Sequence, residues 1–170
     1  MVRRSLLPRR AWLVVFLVVL YACAARPLEQ SGTTGNQEAR VAKVTDGDTI
    51  RVLYRGREER VRLIGVDTPE VPWYGGPDEC FGVEAANYAK RRLEGQVVRL
   101  VSGVERRDRY GRLLAYVYLD EELFNLTLVR LGFATADPFP PNTRLAALFA
   151  QAQGRARAAG KGLWSRCPLP

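Results

Sequence analysis

Alternating apolar residues between positions 41 and 66 constrain the fold more than any other feature of the chain. Apolar side chains occupy every second position of Ile50-Arg51-Val52-Leu53-Tyr54 and recur in Val61-Arg62-Leu63-Ile64-Gly65-Val66. Arg55-Gly56-Arg57, between these runs, is typical of a turn. With Val41 and Val44 ahead of them, the pattern predicts three β-strands in a meander.

The rest of the pattern predicts two further strands and three helices. The strands are expected at 97–104 and 113–119, and the helices at 80–94, 123–131 and 143–160. Thr143 is the expected N-cap of the last helix, and Gly132 is expected to end the second one. The predicted buried stripe of the last helix is Leu145, Leu148, Phe149, Ala152, Ala156 and Ala159. Five strands and three helices suit an α+β fold with a small, partly open barrel of the oligonucleotide-binding kind.

Three polar motifs carry side chains suited to phosphodiester chemistry. They are Asp46-Gly47-Asp48-Thr49, the run from Arg62 to Glu70, and Asp108-Arg109-Tyr110-Gly111-Arg112. Carboxylates supply hard oxygen ligands for a divalent cation, and guanidinium groups match phosphate oxygens in pairs. Each motif alone is more simply a turn, a solvent-facing charge or a hairpin loop. Their occurrence together favours a catalytic site.

The order, spacing and identity of these motifs resemble the staphylococcal nuclease (thermonuclease) family. The resemblance covers roughly residues 39–164, about three quarters of the chain. It extends to Asn142-Thr143 before the last helix and to Gly162-Leu163-Trp164 after it. It implies the same five-stranded barrel with three helices.

The resemblance also implies a calcium site. Asp48 and Asp67 would bind Ca²⁺ directly, and the main-chain carbonyl of Thr68 would complete the protein's ligands. The chain has no histidine, which excludes an imidazole base or a His-bound metal and favours an oxygen-ligated ion.

Glu70 is the implied general base, and Arg62 and Arg112 are the implied clamps on the charge that develops at phosphate. Arg109 and Tyr110 match family positions near a neighbouring phosphate. Phe139 is a candidate stacking face, although the prolines around it and Asp137 depart from the family pattern.

Residues 1–25 have the composition of an export signal. Four arginines and no acid precede an apolar stretch of 15 residues from 11 to 25, which is shorter than the roughly 20 residues that a permanent transmembrane helix needs. Ala22-Cys23-Ala24 is typical of a soluble cleavage site, whereas Leu20-Tyr21-Ala22-Cys23 resembles a lipoprotein box. Both secretion and lipid anchoring to the cell envelope through Cys23 stay open, as does an uncleaved anchor.

The predicted organisation after the signal is a flexible tether at 26–38, the nuclease domain at 39–165 and a short tail at 166–170. Loss of residues 1–23 lowers the formal charge from +8 to +4. That balance permits attraction to a polyanion without identifying one.

Cysteine usage is consistent with export. Without Cys23, only Cys80 and Cys167 remain. In an oxidising compartment these two could form a disulfide, and otherwise they are two unpaired thiols.

The sequence therefore predicts an exported, calcium-dependent nuclease that acts on DNA and RNA with little sequence specificity and leaves 3′-phosphate ends. We expect a monomer without an obligate protein partner. The alternative is a noncatalytic nucleic-acid-binding module on the same barrel, which would bind phosphates without cleaving them.

Overall fold

The computed structural model describes residues 36–71 and 77–168. The predicted signal, Cys23 and most of the predicted tether lie outside the described residues. The described residues contain no helix with the length and apolarity needed to cross a bilayer.

Five of the strands that the structure describes close into a barrel. The described strands are β1 (Asn36–Val44), β2 (Thr49–Tyr54), β3 (Arg57–Leu63), β4 (Val66–Asp67), β5 (Val97–Arg107), β6 (Leu113–Leu119), β7 (Glu122–Leu123) and β8 (Thr135–Ala136). The barrel strands are β1, β2, β3, β5 and β6. The order β3-β2-β1-β5-β6 is antiparallel, and a parallel pairing of β3 with β6 closes the barrel. This confirms the predicted five-stranded α+β barrel.

Period-two burial accounts for the hairpin of β2 and β3. Ile50 and Val52 point into the core with no exposed surface, and so does Val61 opposite them. Arg55 and Gly56 join the strands with positive φ angles of 50° and 75°. Two such residues form the tight turn that matches the twist of an antiparallel pair.

The first strand begins earlier than predicted. Asn36 pairs with Val101, so residues 36–38 of the predicted tether belong to β1. These polar residues form a strand because they pair with the long β5 through main-chain hydrogen bonds. The pattern of residues 36–38 themselves does not reveal this pairing.

The described part of the chain has four helices that cover the barrel: α1 (Gly82–Leu93), α2 (Phe124–Leu131), α3 (Ala146–Ala158) and the single turn α4 (Leu163–Arg166). The three longer helices match the predicted ones. Ala85, Ala89 and Leu93 of α1 are fully buried, as the helical spacing predicts.

Two expectations for α3 are wrong. The helix begins at Ala146 without a side-chain cap, whereas Thr143 lies in a preceding turn whose carbonyl accepts the Ala146 N–H at 3.0 Å. Leu148 and Ala159 are exposed, because only the side of α3 that carries Phe149, Ala152 and Ala156 faces the core.

Buried Asn125 helps to close the barrel. Its Nδ2 donates to the carbonyl oxygens of Ile64 (2.9 Å) and Ala115 (3.3 Å), and its Oδ1 accepts from the Val117 N–H (2.8 Å). The residue is fully buried, so these bonds satisfy its amide and fix α2 to the end of β3 and to β6.

A disulfide joins Cys80, just before α1, to Cys167, just after α4, with 5.8 Å between their Cα atoms and a sequence separation of 87 positions. Closing a loop of this length stabilises the fold by about 4 kcal/mol in the loop-entropy description. The bridge thus ties the C-terminal segment to the first helix.

Candidate active site

The strand register places the first two motifs side by side. Thr49 at the start of β2 pairs with Arg62 near the end of β3, and the Leu63 N–H donates to the Asp48 carbonyl at 2.9 Å. Asp67 follows in β4, where its partner strand β8 holds it opposite Thr135. Residues far apart in sequence therefore meet at one end of the β2–β3 hairpin.

Asp48 is the buried centre of this site, with only 1% of its surface exposed. Its Oδ2 accepts from the Thr68 N–H at 2.8 Å and from the Thr68 hydroxyl at 3.1 Å. Its Oδ1 accepts from the Thr49 hydroxyl at 3.2 Å. These bonds fix the carboxylate before any ligand binds.

Gly47 permits the close packing behind Asp48. A Cβ atom at this position would lie 2.7 Å from Cγ2 of Thr68. Glycine at the centre of the Asp46-Gly47-Asp48 turn therefore has a steric reason, which is the approach of this turn to Thr68.

Arg62 bridges the two predicted metal ligands. Its Nη1 forms an ion pair with Oδ2 of Asp48, and its Nη2 donates to Oδ1 of Asp67 at 2.8 Å. Burial would lower the pKa of Arg62, yet the charges of Asp48 and Asp67 raise it. The guanidinium thus stays charged between two acids that are close enough to share one cation.

The acids of the site repel one another. Burial raises the pKa of Asp46 to about 7, with the charge of Asp48 as the next cause. Burial likewise raises the pKa of Asp67 and of Glu70, and the charge of Asp48 adds to both shifts. Such shifts mark a cluster that is short of positive charge.

Main-chain contacts position Glu70 at the rim. Its N–H donates to Oε2 of Glu79 at 2.9 Å, and its carbonyl accepts from the Glu79 N–H at 3.0 Å. Gly82 lets α1 approach, since a Cβ there would lie 2.7 Å from the Glu70 carbonyl oxygen. The exposed Glu70 carboxylate therefore has a fixed backbone.

The third motif is a self-contained loop. Asp108 accepts from the main-chain N–H of Tyr110 (3.0 Å) and of Arg112 (2.9 Å), and from the Arg112 Nε–H (2.6 Å). Burial would raise the pKa of Asp108, but the bonds from Arg112 lower it below its usual value. Asp108 thereby fixes the direction of Arg112.

One open cleft of about 270 Å³ collects side chains from all three motifs. Glu70, Tyr110 and Arg112 line it, together with Asp46 and Thr49. The cleft also contains Thr45, Arg51 and Arg60.

Asp46, Arg51 and Arg60 are residues that sequence reasoning did not assign to the site. Asp46 has 9% of its surface exposed and accepts the Asp48 N–H at 3.1 Å. Arg60 lies two positions before Arg62, so both arginines point to one face of β3. Arg51 pairs with Arg60 across the hairpin. The side-chain alternation that predicted β2 and β3 could have placed Arg51 and Arg60 on the same face as Arg62.

The outer predicted contacts are only partly assembled. Tyr110 lines the cleft, and Nη2 of Arg109 donates to its hydroxyl at 2.6 Å. Arg109 and Phe139 do not line that cleft, and Phe139 is exposed.

The donor set fits an oxygen-ligated cation. Within the described ranges no three His, Cys, Asp or Glu side chains are grouped to hold a metal, whereas the predicted set needs only Asp48, Asp67 and a main-chain carbonyl. Both carboxylates contact Arg62 and are hard oxygen donors of the kind that Ca²⁺ takes. The described contacts of Thr68 involve its N–H and hydroxyl.

Comparison with known proteins agrees with this geometry. Residues 60–166 match the family described as "Staphylococcal nuclease homologue". The chain is 42% identical to the thermonuclease of Staphylococcus intermedius over 154 residues, which cover 90% of this chain and 92% of that protein. It is 38% identical to the thermonuclease of Staphylococcus hyicus, with 89% and 91% covered. Endonuclease YncB of Bacillus subtilis (strain 168) is 36% identical over 73% of this chain and 60% of its own length. The closed five-stranded barrel, with Arg62 between Asp48 and Asp67, thus occurs in a chain that is extensively identical to known thermonucleases. The chain belongs to the staphylococcal nuclease family.

Proposed function

We propose that this nuclease hydrolyses phosphodiester bonds of both DNA and RNA with little sequence specificity and uses Ca²⁺ as its cofactor. The observation that supports this most is the contact of Arg62 with both Asp48 and Asp67. Glu70 and Arg112 face one cleft nearby.

The metal ligands would be Asp48, Asp67 and the carbonyl of Thr68. When bound there, Ca²⁺ supplies Lewis-acid polarisation of the phosphate. The bonds from Thr49 and Thr68 hold Asp48 in place, so its orientation does not depend on the ligand.

Glu70 accepts a proton from the water that attacks phosphorus. Its raised pKa improves its match to a base that works near neutral pH. The bond from phosphorus to the 5′ oxygen then breaks and this oxygen takes up a proton from solvent water, which leaves a 3′-phosphate and a 5′-hydroxyl.

Two guanidinium groups stabilise the charge that develops on the phosphate. Arg62 contacts both proposed metal ligands and therefore lies beside any phosphate bound there. Arg112 gives its Nε–H to Asp108, and its two terminal amino groups are left to form parallel bonds with phosphate oxygens.

This function is tested by digesting DNA and RNA under three conditions: with Ca²⁺ present, after Ca²⁺ is chelated, and after Ca²⁺ is restored. We expect both substrates to be shortened only when Ca²⁺ is present, with 3′-phosphate ends. Undiminished cleavage in excess chelator would contradict the calcium assignment. A shift of DNA in a gel under every condition, without shortening, would instead identify a noncatalytic binding module.

We further propose that the chain is exported, either as a soluble protein or as a lipoprotein attached through Cys23. The basic and apolar segments of residues 1–25 support this, and the Cys80–Cys167 disulfide suits an oxidising compartment. Mass measurement of the mature N-terminus separates the two forms, because a lipid on Cys23 adds the mass of its acyl chains. An intact Met1 in protein recovered from the cytoplasm would contradict both.

A further inference from the structure

A second cleft, rich in arginine, shares no lining residue with the catalytic one. It has a volume of about 290 Å³ and lies between the β2–β3 turn and the end of β5. Its lining includes Arg55, Arg57, Arg106 and Arg107. We call it the arginine cleft.

The arginine cleft has unbalanced positive charge. Its one acidic lining residue is Glu59, and both carboxylate oxygens of Glu59 bind Arg107 at 2.9 Å. Among the residues that the structure describes, Arg55, Arg57 and Arg106 have no carboxylate within ion-pair distance. The charge of Glu59 also acts on Arg57, so the three exposed guanidinium groups and Arg107 share a single acidic lining residue.

An aromatic ring borders the same cleft. Tyr54 is half-buried in its wall, and the guanidinium carbon of Arg55 lies 5.2 Å from the ring centroid. This contact holds Arg55 through the face of the ring and leaves its N–H groups available to an anion. Aromatic and guanidinium planes of this kind also accept stacked, unpaired bases.

The arginine cleft is joined to the catalytic loop. Arg106 and Arg107 immediately precede Asp108, and the Nη1 of Arg107 donates to the Gly111 carbonyl at 2.7 Å. Along β3, Arg57 and Arg62 are five residues apart, about 17 Å of strand, and this odd spacing places their side chains on opposite faces. The segment around Asp108 supplies Arg106 and Arg107 to the arginine cleft and Tyr110 and Arg112 to the catalytic one, so a single strand would pass from one cleft to the other along this loop.

We propose that the arginine cleft binds a second segment of the same single-stranded nucleic acid whose scissile phosphate lies at Arg62 and Arg112. The proposal rests on the nuclease function given above. It assigns Arg55, Arg57 and Arg106 to phosphates a few nucleotides from the bond that breaks. The cleft gives the enzyme a preference for long strands over dinucleotides.

The test compares two triple variants that lose the same charge. Arg55→Gln/Arg57→Gln/Arg106→Gln removes the unpaired cations of the arginine cleft, and Arg107 is retained because it binds Glu59 and Gly111. The matched control is Arg130→Gln/Arg155→Gln/Lys161→Gln, which removes three cations from a separate groove between α2 and α3. All six residues are exposed, so neither variant disturbs the core.

The measured quantity is the ratio of kcat/KM for a 20-nucleotide single strand to kcat/KM for a dinucleotide. The longer substrate exceeds the roughly 4–16 nucleotides of one such binding site. We expect the arginine-cleft variant to lower this ratio about tenfold or more, while the control changes it less than about twofold. The slope of log KM against log salt for the 20-mer is expected to fall by about 2, since each single-strand phosphate contact contributes about 0.7. Equal losses in both variants, or an unchanged ratio in the arginine-cleft variant, would overturn the proposal.

Fluorescence anisotropy with the labelled 20-mer separates failure of this proposal from failure of the nuclease function. If the wild type binds the 20-mer but cleaves neither substrate, the nuclease function is wrong. The affinities of the two variants for the 20-mer then still show whether the arginine cleft binds nucleic acid. Weaker binding by the arginine-cleft variant alone supports the cleft, and equal binding by both variants contradicts it.

Discussion

The two halves of the catalytic cleft are stabilised in opposite ways. On one side, Asp46 and Asp48 are buried in a cluster whose acids repel one another, so that the pKa of Asp46 rises to about 7. On the other side, Asp108 lies in a loop with Arg112, which lowers its pKa. The acidic half has more negative than positive charge, although Arg62 contacts Asp48 and Asp67, and it therefore suits a cation. The loop pairs Asp108 with Arg112 and presents that arginine to the cleft.

The largest expected effect is on Arg62, which connects the acids to the phosphate. Arg62→Lys keeps the charge but removes the fork that contacts Asp48 and Asp67 together. We expect kcat to fall about 10²- to 10³-fold, the usual effect of losing a preorganised donor. Arg92→Lys is the control, because Arg92 pairs with Glu122 and does not line the catalytic cleft. Steady-state kinetics on DNA measure both, and near-normal turnover of Arg62→Lys would contradict the assigned role.

The glycines of the two halves sharpen the comparison. A methyl group at Gly47 would overlap Thr68, whereas Gly111 has φ +78° and open space around its Cβ position. We expect Gly47→Ala to lower the free energy of unfolding by about 1–3 kcal/mol through overpacking and to displace Asp48. Gly111→Ala costs about 1–2 kcal/mol of backbone strain.

Asparagine distinguishes the two causes, because it adopts positive φ more readily. Gly111→Asn is expected to be milder than Gly111→Ala, and Gly47→Asn worse than Gly47→Ala. Urea denaturation measures all four variants. The reverse order at either position would show that its cause is misassigned.

The loop is expected to depend on Asp108 for the direction of Arg112. Asp108→Asn removes the charge that receives the Arg112 Nε–H, and charge-assisted bonds of this kind contribute about 1.5–3 kcal/mol. We predict a fall in kcat of about tenfold or more. The free energy of unfolding is expected to fall by up to about 1.5–3 kcal/mol, since the Asp108 side chain is only 6% exposed. Asp120→Asn is the control, as Asp120 has φ +52°, which asparagine tolerates. Equal kcat values for Asp108→Asn and Asp120→Asn would show that the direction of Arg112 does not depend on Asp108.

The smallest expected effect is a pH-dependent gain in stability from Asp46→Asn. Because the pKa of Asp46 is higher in the folded than in the unfolded chain, the folded protein binds more protons, and this group destabilises the fold as pH rises from about 4 to 7. With chelator present, we expect the variant to be more stable than wild type by at least about 1 kcal/mol at pH 8, since one pKa unit corresponds to about 1.4 kcal/mol. At pH 3 the difference should vanish. Denaturation at the two pH values measures this gain, and a variant that is less stable at pH 8 would reverse the sign.

The sequence predicted the barrel because strand periodicity is local. Ile50, Val52 and Val61 display it within a few residues, and the structure buries all three. The errors arise where distant contacts decide. Asn36–Val44 begins early because β5 pairs with it, and the exposure of Leu148 depends on how α3 lies on the core.

The predicted site shows the same division. Motif order predicted Asp48, Arg62, Asp67, Glu70 and Arg112 as site residues. The register of β2 with β3 brings Arg62 to Asp48, and the Asp108 loop directs Arg112. Asp46 takes part in the catalytic cleft because the fold buries it beside Asp48. The arginine cleft forms because the end of β5 approaches the β2–β3 turn. Neither relation is visible in a single segment of sequence.

Calcium titration by calorimetry tests the central claim most directly, namely that Asp48 and Asp67 share one cation. We predict one Ca²⁺ per wild-type chain and loss of measurable binding in both Asp48→Asn and Asp67→Asn. Asp137→Asn, a neighbouring acid whose charge acts on Asp67, is expected to retain binding. Calcium affinity unchanged by Asp48→Asn and Asp67→Asn would contradict the account.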